Sequence, residues 1–192
     1  MTDEEVRGYW LSGAVAFIGV HYPSETGRRL LEGLTQEVRS AATHAEPAGW
    51  YPRAHHVELM RAIASANKDE HRIFDDLVHY GQFVGSEATN GVLKPFMSIV
   101  SPRVFAKRLP ELWARDHRGE SQLESDFSQI DEARVPLRLL GIRGYDHVGV
   151  AMLGWIKVAL TGLLRKTPSL KQTGWSIRHA APSEMVCEVT WS

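Results

Sequence analysis

Cysteine is almost missing from this chain: Cys187 is the sole one in 192 residues. That excludes an internal disulfide framework and fits a reducing, cytoplasmic setting. An excess of either charge is missing as well. With 22 Lys and Arg against 23 Asp and Glu, the net charge is -1 at pH 7, which removes the electrostatic footprint of a general nucleic-acid binder. Apolar runs long enough to span a bilayer are not found. Trp10–Val20 is too short, and Val148–Leu164 carries Lys157 in its middle, so both are read as core segments. The opening MTDEEVRGYW is acidic where a secretory signal carries basic residues, so no export signal is expected. Catalytic signatures are also missing. No G-x-S-x-G elbow surrounds a serine, Ser125 and Ser128 included, and there is no P-loop and no G-x-G-x-x-G. The carboxylate pairs Asp75–Asp76 and Asp131–Glu132 are common surface patterns and no sign of glycosidase chemistry. No catalytic residue is assigned, and a protein that is not an enzyme is expected.

What is present is a run of helices followed by a short sheet. The chain is long enough for one domain over residues 1–192 with a substantial core, and it contains neither repeats nor a dividing linker. Residues 11–22 read as a helix or a buried strand, because periodicity does not settle a short apolar run. Pro23 ends that segment, and a helix from Ser24 carries Leu30, Leu31, Leu34 and Val38 along one side. After the loop Ala45–Pro52, Val57, Met60, Ile63 and Ala64 define another amphipathic helix. A further helix over about 68–84 turns Ile73, Phe74, Leu77 and Val78 to one arc, and Gly85–Gly91 is expected to break it. Val92, Leu93, Phe96, Met97 and Val100 make a strongly apolar helix. Ser101-Pro102 is an N-cap followed by proline at the first helical position. The helix it opens points Phe105, Leu109 and Trp113 inward, with Pro110 ending or kinking it.

The remainder reads as strands over 122–130 and 134–141, an apolar helix over 146–164 and a closing hairpin over 174–191. The expected fold is therefore α+β. A helical bundle over about 11–118 packs on a four-stranded antiparallel sheet within 121–192, with one helix inserted between the two hairpins.

The segment Ser101-Pro102-Arg103-Val104-Phe105-Ala106-Lys107-Arg108-Leu109-Pro110, the Leu153-Gly154-Trp155 step and the closing Val186-Cys187-Glu188-Val189-Thr190-Trp191 resemble a bacterial superfamily. Trp50-Tyr51-Pro52 resembles a recurrent step between its early helices. The superfamily includes four-vinyl-reductase (hydrocarbon-binding) domains, a myxobacterial family of about this length and, more distantly, the haem nitric-oxide-binding and TRAPP-like folds. The resemblance implies a sensor-like module, often dimeric, that encloses a small apolar ligand between helices and sheet. Four-vinyl-reductase relatives carry paired cysteines near the final hairpin. Here Cys187 matches the second, His179 stands at or near the first, and Ser183 replaces the usual turn glycine. Cysteine-pair chemistry is therefore not implied. The tyrosine-serine-arginine signature of the haem-binding relatives is not found either, so no haem or other cofactor is expected.

Nine histidines raise a metal question. His71, Asp75 and His79 lie four residues apart on one helix face, as a metal site requires. The same helix turns Ile73, Leu77 and Val78 to the core, which leaves the triplet on the wet side, so no metal site is assigned. His55-His56 points its rings about 100° apart, and His179 with Cys187 supplies two ligands only. Cys187, alternating with Met185 and Val189, reads as a buried small hydrophobe.

The helix over 146–164 is apolar nearly all round, and Gly149, Gly154 and Gly162 open it to another backbone or a ligand. Met97, Phe105, Trp113, Met152 and Trp155 are the candidate walls of an apolar ligand pocket. Trp10, Trp50 and Trp191 lie near element edges, where aromatic side chains anchor interfaces. The modest basic bias over 103–118 is a solvated face. Together these readings point to a non-enzymatic cytoplasmic sensor or adaptor. It would bind a small apolar ligand, pair as a homodimer and signal through a protein partner, without nucleic acid or a membrane span. The alternative is a ligand-free dimerisation or scaffold module.

Overall fold

Periodicity left residues 11–22 undecided; in the computed structural model they are helical. The structure describes residues 4–90, 100–125, 134–164, 169–172 and 184–190. Helix α1 (Gly8–His21) buries Trp10, Leu11, Ala14, Phe17 and Ile18, a spacing only a helix brings to one side. It stops where Tyr22 turns extended ahead of Pro23, as the residue before proline must. The single helix expected from Ser24 through Val38 is two, α2 (Ser24–Glu32) and α3 (Gln36–Thr43). The reason is local: the Thr35 hydroxyl accepts from the Val38 amide at 3.3 Å, an N-cap that starts a new helix.

Two strands flank this region. β1 (Glu5–Arg7) pairs antiparallel with β2 (Trp50–Pro52), with Val6 opposite Tyr51, so the Trp-Tyr-Pro step is a strand. Helix α4 (Arg53–Ala64) follows directly. Helix α5 (Glu70–Asn90) then runs straight through Gly85, where a break was expected. Its glycines serve packing: a Cβ on Gly81 would run into the Ala151 carbonyl, and one on Gly85 would sit 3.1 Å from the Trp155 Cα.

The Ser101-Pro102 signal holds: the Ser101 hydroxyl accepts from the Val104 amide at 3.3 Å and opens α6 (Pro102–Asp116). That helix continues through Pro110 instead of ending there. Its inward residues Phe105, Leu109 and Trp113 are all buried. Beyond it, β3 (His117–Arg118) joins the other edge of β1, completing a sheet of order β2-β1-β3.

The second sheet comprises β4 (Gln122–Ser125), β5 (Arg134–Leu140), β6 (Ser169–Gln172) and β7 (Glu184–Thr190), in the antiparallel order β4-β5-β7-β6. Leu137 and Leu139 stand opposite Cys187 and Met185 in the β5–β7 register. The closing hairpin starts at Ser169, five residues earlier than the sequence suggested. Helix α7 (Asp146–Leu164) is inserted between β5 and β6 with the bounds expected for it. The fold class is α+β, mostly helical.

α7 is the centre of the core. Val148, Val150, Ala151, Leu153, Ile156, Ala159 and Leu160 are all essentially inaccessible. A Cβ on Gly154 would run into the Val78 carbonyl and one on Gly149 into the Met185 sulfur, so these glycines allow close approach of protein, not of ligand. Gly162 differs, since no described atom lies within 4 Å of its Cβ position. The apolar helix around Phe96 and Met97, the first strand beyond Ser125, Asp131–Glu132, Ser128, His179, Ser183 and Trp191 lie outside the described residues. So does the Cys187 side chain. No helix among the described residues is long and apolar enough to cross a membrane.

Candidate functional site

Trp10 lies near the start of α1, and two polar groups of the interior meet on it. It was read as an edge residue, but it is 3 % exposed, because His56 of α4, Tyr80 of α5 and His117 just beyond α6 pack around its ring. On one side, His56 from α4 is completely buried between Tyr80 of α5 and Tyr145 just before α7. The hydrogen bonds fix its tautomer. Tyr80 donates its hydroxyl to the Trp10 carbonyl at 2.7 Å, so its oxygen must accept from His56 Nε2 at 3.0 Å. His56 Nδ1 is then the acceptor for the Tyr145 hydroxyl. Burial, and secondarily the nearby His117, pushes His56 well below the ordinary histidine range. Burial likewise pushes Tyr80 and Tyr145 well above theirs. All three are held neutral, each with a partner.

On the other side of Trp10, the arrangement is less complete. His117, one residue past α6, stacks on Trp113 at 3.7 Å and 7° and approaches Trp10 at 5.9 Å. Its Nδ1 donates to the Trp113 carbonyl at 3.3 Å, which leaves Nε2 as an acceptor. Burial lowers its pKa to about 4, against a smaller opposing pull from Asp116. His117 Nε2 and the indole nitrogens of Trp10 and Trp155 are buried without a protein partner. All three residues line one void of about 30 Å³, together with Trp113, Met152 and Ile156. It has room for about one water molecule, with two donors and one acceptor around it.

A larger concavity lies across Asp116 from that void. It is a groove of about 770 Å³ between α1, α5, the end of α6 and the loop at Pro47 and Ala48. Gly13, Ala16, Phe83, Val84 and Ala88 supply a mostly apolar floor that Ser12 and Glu87 interrupt, and Arg7, Tyr9, Arg115 and Asp116 a polar end. At that end Asp116 accepts from the Tyr9 hydroxyl at 2.6 Å and from Arg115 at 2.9 and 3.0 Å. Burial first, then Asp116, raises the Tyr9 phenol well above its usual range. Arg7 reaches the Arg115 carbonyl at 3.2 Å and lies 3.8 Å over the Trp50 ring, whose other contact at 3.8 Å is Arg118. Trp50 is therefore clamped between two guanidinium groups, and is only partly exposed.

Of the expected pocket walls, Trp113, Met152 and Trp155 do come together, around the small void. Phe105 stacks on Trp155 at 6.0 Å, and Met97 lies outside the described residues. The triplet His71, Asp75 and His79 does not form a group: His79 stands beside His21, with rings 5.7 Å apart, and near the buried Asp76. Sequence reasoning missed His56, Tyr80, Tyr145 and His117 as a cluster. The one available signal was a histidine at an inward helical position beside Met60 and Ile63.

The class of fold is now defined. The chain has the fold of H-NOX proteins. A single-residue variant of the Fe(II) unliganded H-NOX protein from K. algicida superposes with a TM-score of 0.70 at 10% identity, over 96% of this chain and 95% of that one. The H-NOX protein from S. oneidensis in its Fe(II)NO ligation state gives 0.69 at 10% identity, over 97% and 99%. A third structure, described as modulating haem redox potential through porphyrin distortion, gives 0.65 at 8% identity, over 96% and 94%. No family model matches the chain, and no curated protein matches it.

Proposed function

We propose that this chain is a non-catalytic small-molecule sensor or adaptor. It takes a small, largely apolar ligand with one polar end in the groove between α1 and α5. The carrying observation is that groove: about 770 Å³, within the range of roughly 300–1,000 Å³ typical of ligand sites, mostly apolar along its floor and charged at one end. The shared fold with small-ligand-binding H-NOX structures supports the reading.

The iron and haem of those structures do not fit the described residues around this groove and the void beside it. A haem iron needs an axial His, Cys, Met or Tyr donor. Of the buried histidines, His56 has both nitrogens bonded, His55 pairs through Nε2 with Glu37 at 3.1 Å and lines neither the groove nor the void, and His117 Nε2 faces a void of only about 30 Å³. The groove is lined by no His, Cys or Met, and its Tyr9 is kept as a neutral phenol by burial and Asp116. We therefore assign an organic ligand and place it in the groove rather than among Phe105, Trp113, Met152 and Trp155.

Several features support a role without catalysis. Burial holds His56 and His117 neutral by lowering their pKa values and holds Tyr80 and Tyr145 neutral by raising theirs, so none of these four is poised to transfer a proton at pH 7. Signalling would be a population shift: a ligand touching Tyr9 and Asp116 lies one residue from Trp10 and His117, and biases how α1 and α6 close on α7. Reporting goes through a protein partner, in a cytoplasmic homodimer related to the four-vinyl-reductase and TRAPP-like domains. The second reading is a ligand-free interaction module; it draws on Val20, 72 % exposed, and Val104, 45 % exposed.

The test is native mass spectrometry with organic extraction, followed by titration with 1-anilinonaphthalene-8-sulfonate, an apolar bicycle with one anionic end. A stoichiometric organic compound, or saturable dye binding, that Ala16→Trp reduces at least tenfold establishes the sensor. Ala16 is exposed on the groove floor, so the variant keeps its core. A clean mass together with dye binding indifferent to Ala16→Trp transfers the assignment to the interaction module.

A further inference from the structure

We infer that His21, Asp76 and His79 form a binding site for a divalent transition ion, zinc in the first place. The site joins the C-terminal end of α1 to the middle of α5. The donor atoms of the three side chains all lie within 4.8 Å of one another. Asp76 and His79 are three residues apart on one face of α5, and His21 is the last residue of α1. His21 Nε2 stands 3.3 Å from Asp76 Oδ1. Ligands bound tetrahedrally at about 2.0–2.2 Å are separated from each other by about 3.3–3.6 Å, so this pair is already at ligating distance. His79 is exposed, and its ring has the freedom to close the remaining gap.

The surroundings favour ligation over an ordinary ion pair. Asp76 is only 9 % exposed, and its second oxygen is occupied by two donors, the Tyr22 hydroxyl at 2.7 Å and the Asn67 amide at 2.6 Å. Those bonds aim Oδ1 at the histidines, as second-layer donors do at metal sites. The His21 ring is held by stacking on Phe17 at 4.5 Å and 17°. Two imidazoles and one carboxylate match the borderline softness of zinc, and three protein ligands leave one coordination position over. A concavity of about 440 Å³, bounded by Phe17, His21, His79 and Glu87, gives that position access to solvent.

The experiment is a competition titration of the full chain, stripped with chelator, using zinc chloride against a chromogenic zinc indicator. A parallel cobalt titration is read by visible absorption. Expected are one ion per chain, tetrahedral cobalt bands, and an affinity that falls at least tenfold in both His21→Ala and His79→Ala. His71→Ala, on the same helix but outside the cluster, is expected to leave affinity and spectrum unchanged. His79 is exposed and makes no hydrogen bond among the described residues, so its variant keeps the fold and the test does not depend on an Asp76 variant, which would break the bonds to Tyr22 and Asn67. Binding that is unaffected by His79→Ala in folded protein, or binding lost equally in His71→Ala, overturns the site. So does the absence of one-to-one binding at 100-fold excess of zinc.

Discussion

Two polar regions of the interior share Trp10, and they are built on opposite terms. On the carbonyl side of Trp10, the chain Tyr145–His56–Tyr80 gives every hydrogen a partner and every nitrogen a role. On its indole side, Trp10, Trp155 and His117 present three buried polar atoms to one small void and to no protein partner. A saturated buried network specifies a single arrangement, because each member is costly to move. Polar atoms with no protein partner are tied to their surroundings by fewer protein hydrogen bonds, so rearrangement there breaks fewer of them. The contrast identifies the first region as framework. The second adjoins α6 and, through Asp116, the groove to which the proposed ligand is assigned.

The largest expected effect comes from breaking the saturated region. His56→Leu keeps roughly the volume but orphans the Tyr145 hydroxyl and removes the donor to Tyr80. An unpaired buried hydroxyl costs about 1–3 kcal/mol, and with lost packing the destabilisation should reach about 4 kcal/mol in urea unfolding. Tyr145→Phe removes the hydroxyl and leaves only His56 Nδ1 unpaired, so it should cost less than half as much. Equal losses in the two variants would mean that packing, not hydrogen bonding, holds this region.

Acid sharpens the comparison next. His117 is held neutral in the fold with a pKa of about 4, against an ordinary 6.5 in the unfolded chain. Between those values the unfolded state binds more protons, so stability falls as pH falls. The contribution is fully present above pH 6.5 and spent by about pH 4, amounting to about 3 kcal/mol. His56 acts in the same direction, since burial also lowers its pKa. Urea midpoints measured at pH 7, 5.5 and 4.5 should therefore drop steadily, and His117→Phe should flatten that slope while leaving the part due to His56. An unchanged slope in the variant would remove His117 as a titrating group.

The same contrast explains what was legible in the sequence. Helix α7 was readable to the residue, because a continuous apolar run bounded by an acidic start leaves few alternatives, and Ser101-Pro102 marked α6 by cap chemistry alone. Trp10 was misplaced because α1 is apolar on most sides and shows no single stripe to point inward. Gly85 was read as a breaker, whereas its missing side chain admits Trp155. The His56 network was invisible, since its partners lie 24 and 89 positions away and no local pattern links them. The His21–Asp76–His79 cluster was hidden in the same way. Spacing along one helix put His71, Asp75 and His79 on a face read as solvated, with no metal site assigned to it, whereas the inward carboxylate is Asp76, and its histidine neighbour comes from α1, 55 residues earlier.

The smallest effect belongs to the unsaturated region, and its smallness is the point. Trp155→Phe deletes a buried N–H that has no protein partner, while keeping an aromatic ring against Phe105. Removing that unpaired donor gains about 1–3 kcal/mol, and the slightly enlarged void costs a similar amount, so the net change should stay within about 1 kcal/mol. The readout is the urea midpoint at pH 7, beside that of His56→Leu. If Trp155→Phe proves as destabilising as His56→Leu, the indole is engaged in an internal hydrogen-bonded chain, for example through a water held between Trp10, His117 and Trp155. Both regions would then be framework. A near-neutral Trp155→Phe that nevertheless alters dye binding in the groove would tie the void to the ligand site through Asp116, which borders both.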